Sequence, residues 1–155
     1  MNAGGGQQQL QQLSQALEVI EGEIAELRTE IEELEDEQEA IDGAIEAIEH
    51  LDTGSTIQVP LGGGAYVRAE VQNVDEVIVS LGGSYAAGQP EGDAIDALEH
   101  KRDALDDRIA GVREEIEELE GESEQVEEQV EALQGQMQQQ QMQQLQQMQE
   151  GDDGE

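Results

Sequence analysis

Two histidines, an internal run of three glycines at 62–64 and 39 acidic side chains are the groups in this 155-residue chain with types suited to chemistry. His50 and His100 supply imidazoles, but no third ligand is defined and the chain contains no cysteine, so they do not make a zinc site. Gly62-Gly63-Gly64 is a composition that can cradle phosphate. No Lys-Ser/Thr pair follows it and no helix starts there, so it reads as a turn. The carboxylates attract cations diffusely, because no loop presents them at alternate positions around a central glycine as a calcium site requires. Ser, His and Asp occur without a nucleophile elbow or another spacing for covalent catalysis. The sequence therefore predicts no catalytic, cofactor-binding or metal-binding residue, and no enzyme.

Contact chemistry remains. Leu10 and Leu13 near one end, and Met137, Met142, Leu145 and Met148 near the other, are set in glutamine-rich sequence. Methionine is flexible and polarisable, and surfaces rich in it tolerate many partner sequences. The residues alone leave three readings of Met142, Leu145 and Met148: an extension of a helical seam, part of a disordered glutamine-rich tail, or such a surface.

The elements that must position these groups are two heptad segments. From Leu10 the seam steps by three and four through Leu13, Leu17, Ile20, Ile24, Leu27, Ile31, Leu34, Gln38, Ile41 and Ile45 to Ile48. A second seam runs from Ile95 through Leu98, Arg102, Leu105, Ile109, Val112, Ile116, Leu119, Ser123, Val126, Val130 and Leu133 to Met137. A mean period of about 3.5 keeps a seam facing a partner helix in a left-handed supercoil. The expected layout is a disordered N-terminus over 1–7, a helix over 8–52, a second helix over 93–137 with Asp93 as N-cap, and a glutamine-rich, acidic tail over 138–155. Equal lengths let the helices fold back antiparallel. With Leu13 and Leu98 at heptad position d, Arg28, Glu35, Arg113 and Glu120 all fall at e. One antiparallel alignment pairs Arg28 with Glu120 and Arg113 with Glu35, a slide by one heptad brings Arg28 near Arg113 instead, and the first is the one expected.

Between the helices, over 56–88, the period switches to two. Thr56–Leu61, the Gly62-Gly63-Gly64 turn and Ala65–Val71 read as one hairpin; Glu76–Leu81, Gly82-Gly83 and Ser84–Gly88 read as another. Two isolated hairpins are marginal in water and leave open edges, so Ile57, Val59, Leu61, Val67, Val77, Val79 and Leu81 are predicted to mediate oligomerisation. The fold class expected is α+β, a long antiparallel two-helix coiled coil with two central β-hairpins that assemble with other chains.

Charge sets the environment. Thirty-nine acidic residues against six basic ones give a net charge of −33, which opposes binding to nucleic acid or anionic membranes. In molar salt the screening length falls to roughly 3 Å, so this repulsion fades while hydrated carboxylates keep the surface soluble. A salt-rich cytosol, as in a halophilic archaeon, is the expected setting. The sequence offers no long apolar run for a membrane span and no secretion signal, which makes a cytoplasmic location the default.

Val59-Pro60-Leu61-Gly62-Gly63-Gly64-Ala65-Tyr66-Val67, followed by Val77-Ile78-Val79-Ser80-Leu81-Gly82-Gly83-Ser84-Tyr85, closely resembles the central hairpins of the archaeal prefoldin alpha family. The order of helix, two hairpins and returning helix extends the resemblance over essentially the whole chain. It implies an ATP-independent holdase in which two alpha and four beta subunits join their hairpins into an oligomeric β-barrel platform. Coiled-coil tips then hold unfolded polypeptide clients for transfer to a group II chaperonin. It also favours client contact for Leu10, Leu13, Met137, Met142, Leu145 and Met148. The chain departs from the family pattern in its glutamine-rich end and its acidity. The competing expectations are a structural coiled-coil scaffold and an acidic histone-chaperone or DNA-mimic binder.

Overall fold

Six elements follow one another: α1 (Ala3–His50), β1 (Thr56–Gly62), β2 (Ala65–Glu70), β3 (Val77–Gly82), β4 (Tyr85–Gln89) and α2 (Glu91–Asp152). The computed structural model describes residues 3–82 and 85–152, with side chains over 5–80 and 88–151. The chain divides into two units, one made of Met1–Glu30 with Gly111–Glu155 and the other of Ile31–Ala110. Among the described residues no helix is long and apolar enough to cross a membrane.

Within each unit the two helices run antiparallel. In the first, Met137 packs against Gly6 while Arg28 bonds Glu120, so ascending α1 descends α2. In the second, Gln38 bonds Asp106 and Arg102 bonds Asp42. The seam residues are the covered ones in both units. Ile20, Ile24, Val112 and Ile116 are buried in the first unit, and Ile41, Ile45, Ile48 and Ile109 in the second. Even the polar seam positions Gln38, Arg102 and Ser123 are half-buried. An apolar stripe at this spacing covers itself only against another helix, which explains why sequence with so few bulky side chains still forms long helices.

Both helices are longer than the 8–52 and 93–137 expected. At the N-terminus, glycine costs a helix about 1 kcal/mol relative to alanine. Gly6 nevertheless has a packing reason, since a Cβ there would lie 3.3 Å from Met137 Sδ. Asp93 is not the N-cap of α2: the Pro90 carbonyl accepts the Ala94 N–H at 2.9 Å, which puts Glu91 and Asp93 inside the first turn, where their charge opposes the helix dipole's positive end. Beyond Met137 the glutamines, good helix formers, carry α2 on to Asp152.

The strands form two separate antiparallel hairpins, β1–β2 and β3–β4. They are repeats of one design. Val59 pairs with Val67 and Gly62 with Ala65, leaving Leu61 in a bulge; Val79 pairs with Ala87 and Gly82 with Tyr85, leaving Leu81 in the same place. In the first hairpin Gly63 and Gly64 have φ of 60° and 82°, the left-handed values a type I′ turn requires at both central positions. The return from α1 is fixed by local bonds: Gly54 N–H donates to the Val71 carbonyl, Val74 N–H to Thr53 Oγ1, and Asp75 N–H to Asn73 Oδ1.

Candidate functional site

Chain-internal packing treats the two hairpins differently. In the first, every residue of β1 is exposed, and so are Tyr66 and Val67 of β2. Ile57 and Val59, each 36% exposed, Val67 at 47% and Leu61 at 68% therefore offer apolar surface that the described residues leave partly open. The second hairpin is seated on its own unit. Val79 is only 4% exposed and Val77 is half-buried, whereas Ile78 between them points out. Lys101, the chain's only lysine, donates from Nζ to the Ser80 carbonyl at 3.1 Å and ties β3 to α2. Val79 is thus a core residue of the single chain, whereas the alternating pattern alone placed it among the residues expected to mediate oligomerisation. Leu81 belongs to that predicted set too, but its side chain lies outside the described residues.

The predicted contact residues at the helix ends also divide. Leu10, Leu13 and Met137 are half-buried in the seam. Met142, Leu145 and Met148 are 68%, 62% and 76% exposed, on a stretch of α2 in which every residue from Gln138 to Gly151 faces solvent. Met137 packs opposite Gly6, close to the first described residue of α1, Ala3, while α2 continues to Asp152.

A polar layer crosses the seam of the second unit. Gln38 Nε2 donates to the Arg102 carbonyl at 3.3 Å and to Asp106 Oδ1 at 2.5 Å, and Arg102 Nη1 lies 2.6 Å from Asp42 Oδ1. The hydrogen bond and charge of Asp42 hold the Arg102 guanidinium more firmly protonated than usual. Polar groups at a seam position specify register, since sliding either helix unpairs them. In the first unit Arg28 Nη2 reaches Glu120 Oε1 at 3.2 Å, the pairing expected rather than the heptad slide that would bring Arg28 near Arg113. Such exposed pairs are weak, and weaker in salt, so they select register more than they add stability. Sequence reasoning missed Ala94, fully buried at the start of α2; its small side chain at a g position was the available signal.

The groups suited to chemistry are accounted for by structure. His50 Nδ1 donates to the Glu46 carbonyl at 2.7 Å and His100 Nδ1 to the Asp96 carbonyl at 2.8 Å, each within its own helix. No group of three metal-ligating side chains occurs among the described residues. Glu23, Glu26, Glu30, Glu115, Glu118 and Glu122 line an open groove in the first unit, with Leu27 and Leu119 between them.

Comparison with known proteins gives the following likenesses. A family model described as Prefoldin subunit matches residues 20–143. Prefoldin subunit alpha of Halorubrum lacusprofundi is 65% identical over 111 residues, covering 72% of this chain and 73% of the relative. That of Haloarcula marismortui is 51% identical over 114 residues, 74% of each chain, and that of Methanococcus maripaludis 29% identical over 113 residues, 73% of this chain and 69% of the relative. Among solved structures, a cryo-EM structure of filamentous PFD from Methanocaldococcus jannaschii superposes with a TM-score of 0.65 at 25% identity, covering 72% of this chain and 95% of that one.

Proposed function

The chain belongs to the prefoldin family, and from that premise we propose how this alpha-type chaperone subunit works: the hairpins assemble it and the far helix ends hold clients. Its role is that of a prefoldin chaperone subunit; the scaffold and acidic-binder readings are not favoured. The observation that carries the client-holding reading is the exposed trio Met142, Leu145 and Met148 on the stretch of α2 in which every residue from Gln138 to Gly151 faces solvent. An unfolded chain can bury apolar segments there, while a native protein has already buried its own. Single contacts of this kind are weak. Several tethered arms in one assembly raise the effective concentration of each after the first, so holding needs no ATP-driven step.

The assembly we propose joins this chain to prefoldin beta subunits, two alpha with four beta, through Ile57, Val59, Leu61 and Val67 in a β-barrel platform. It works in the cytoplasm and passes clients to a group II chaperonin. The test is purification in molar KCl with native mass measurement, followed by a nucleotide-free assay of aggregation of a chemically denatured client. A hetero-oligomer containing a second coiled-coil subunit that suppresses aggregation is expected. A monomer, or an assembly without effect on the client, would overturn the reading.

A further inference from the structure

Ionisable side chains are absent from residues 1–17 and 132–149; all 39 acidic and six basic residues lie elsewhere. Both charge-free stretches belong to the unit that carries the free end of α2. Eleven of the sixteen residues from Gln134 to Gln149 are glutamine, and those beyond Met137 are all exposed. Elsewhere in the same unit, the exposed groove is lined by six glutamates. Leu145 and Met148 lie past residue 143, where the family match ends.

We propose that this charge-free end is a receptor for unfolded polypeptides that are themselves acidic. Met142, Leu145 and Met148 take apolar side chains, and the surrounding glutamine amides donate to client carboxylates. The inference rests on the client-holding reading and adds the class of client. An extended acidic chain brings carboxylates wherever it brings apolar groups. Laid along the glutamates of the shaft, it would set carboxylate against carboxylate and strip water from both. Salt does not relieve this at contact range, since the screening length in molar salt is still roughly 3 Å.

Glutamine meets the same carboxylates with two N–H donors and no net charge, and its bond to a carboxylate is charge-assisted. Lysine or arginine would also donate. Of the six cations in this chain, however, Arg28 and Arg102 are already held by Glu120 and Asp42, and Lys101 by the Ser80 carbonyl, and none lies in 134–149. The hydrogen bonds this stretch presents to an anionic client come from neutral donors.

The test uses the assembled complex in molar KCl and one acidic polypeptide kept unfolded by reduction and S-carboxymethylation, before and after amidation of its carboxylates. Fluorescence anisotropy reads Kd. Replacing Gln138→Glu, Gln141→Glu and Gln144→Glu together keeps helix propensity nearly constant. It should weaken binding of the acidic client by roughly tenfold or more while the amidated client stays within about twofold. Equal weakening of both clients, or undiminished binding of the acidic one, would overturn the inference. A second variant lacking 138–152 separates the two claims. Loss of both clients on deletion supports the client-holding reading whatever the triple variant does, whereas retention of both defeats that reading and the inference with it.

Discussion

Val59 and Val79 occupy equivalent places in the two hairpins, yet only Val79 is buried within its own chain. Their aspartate variants should therefore fail in different ways. Val79→Asp places an unpaired charge in a closed site and should lower the stability of the chain by at least ~2 kcal/mol in denaturant unfolding. Val59→Asp should change that stability by less than about 0.5 kcal/mol, as exposed substitutions do, and act instead on the mass of the complex. Equal loss of stability in both would contradict the division. Alternation in the sequence identifies which residues share a strand face, and it places both valines correctly in that sense. It cannot say whether the cover for that face comes from the same chain or another, which is why Val79 stands among the expected assembly residues although its own chain buries it. The glycine turn was legible because positive φ at successive positions leaves few alternatives to glycine.

The helices were the most legible elements, since a heptad seam constrains every third or fourth residue and even Gln38, Arg102 and Ser123 fall on it. Their ends were less legible. A glycine run and a glutamine run are both weak end signals, and neither shows that Met137 fills the space beside Gly6 or that α2 continues past it. Every residue from Gln138 to Gly151 faces solvent, and Glu150 ends the stretch with a charge that the negative end of the helix dipole disfavours. Helical stability in proteins comes mostly from packing an apolar face, which these exposed residues lack, so the segment should fray readily from its end. Hydrogen exchange is expected to be fast for amides of 141–151 and slow for those of 112–126 in the free complex. A bound unfolded client should slow exchange in the first group. Protection of 141–151 without client, unchanged on binding, would argue against the segment as the contact surface.

At the scale of the whole molecule the dominant quantity is the net charge of −33. Salt removes much of the repulsion it creates, and relatives 51–65% identical come from halophilic archaea. Helical content measured by circular dichroism should fall as KCl is diluted from molar to millimolar concentrations, where the screening length exceeds about 10 Å. Full helicity in dilute buffer would show that the seams tolerate the unscreened charge. The central claim is that assembly resides in the central hairpins and client holding in the first residues of α1 and the last residues of α2. The most direct measurement compares the full complex with one whose alpha chains lack residues 1–13 and 137–155, recording native mass and suppression of client aggregation in the same molar-KCl buffer. A trimmed complex with the same subunit composition, its mass lower only by the residues removed, should protect the client far less or not at all. Undiminished protection by that complex would contradict the account and move client holding to the hairpins or the helix shafts.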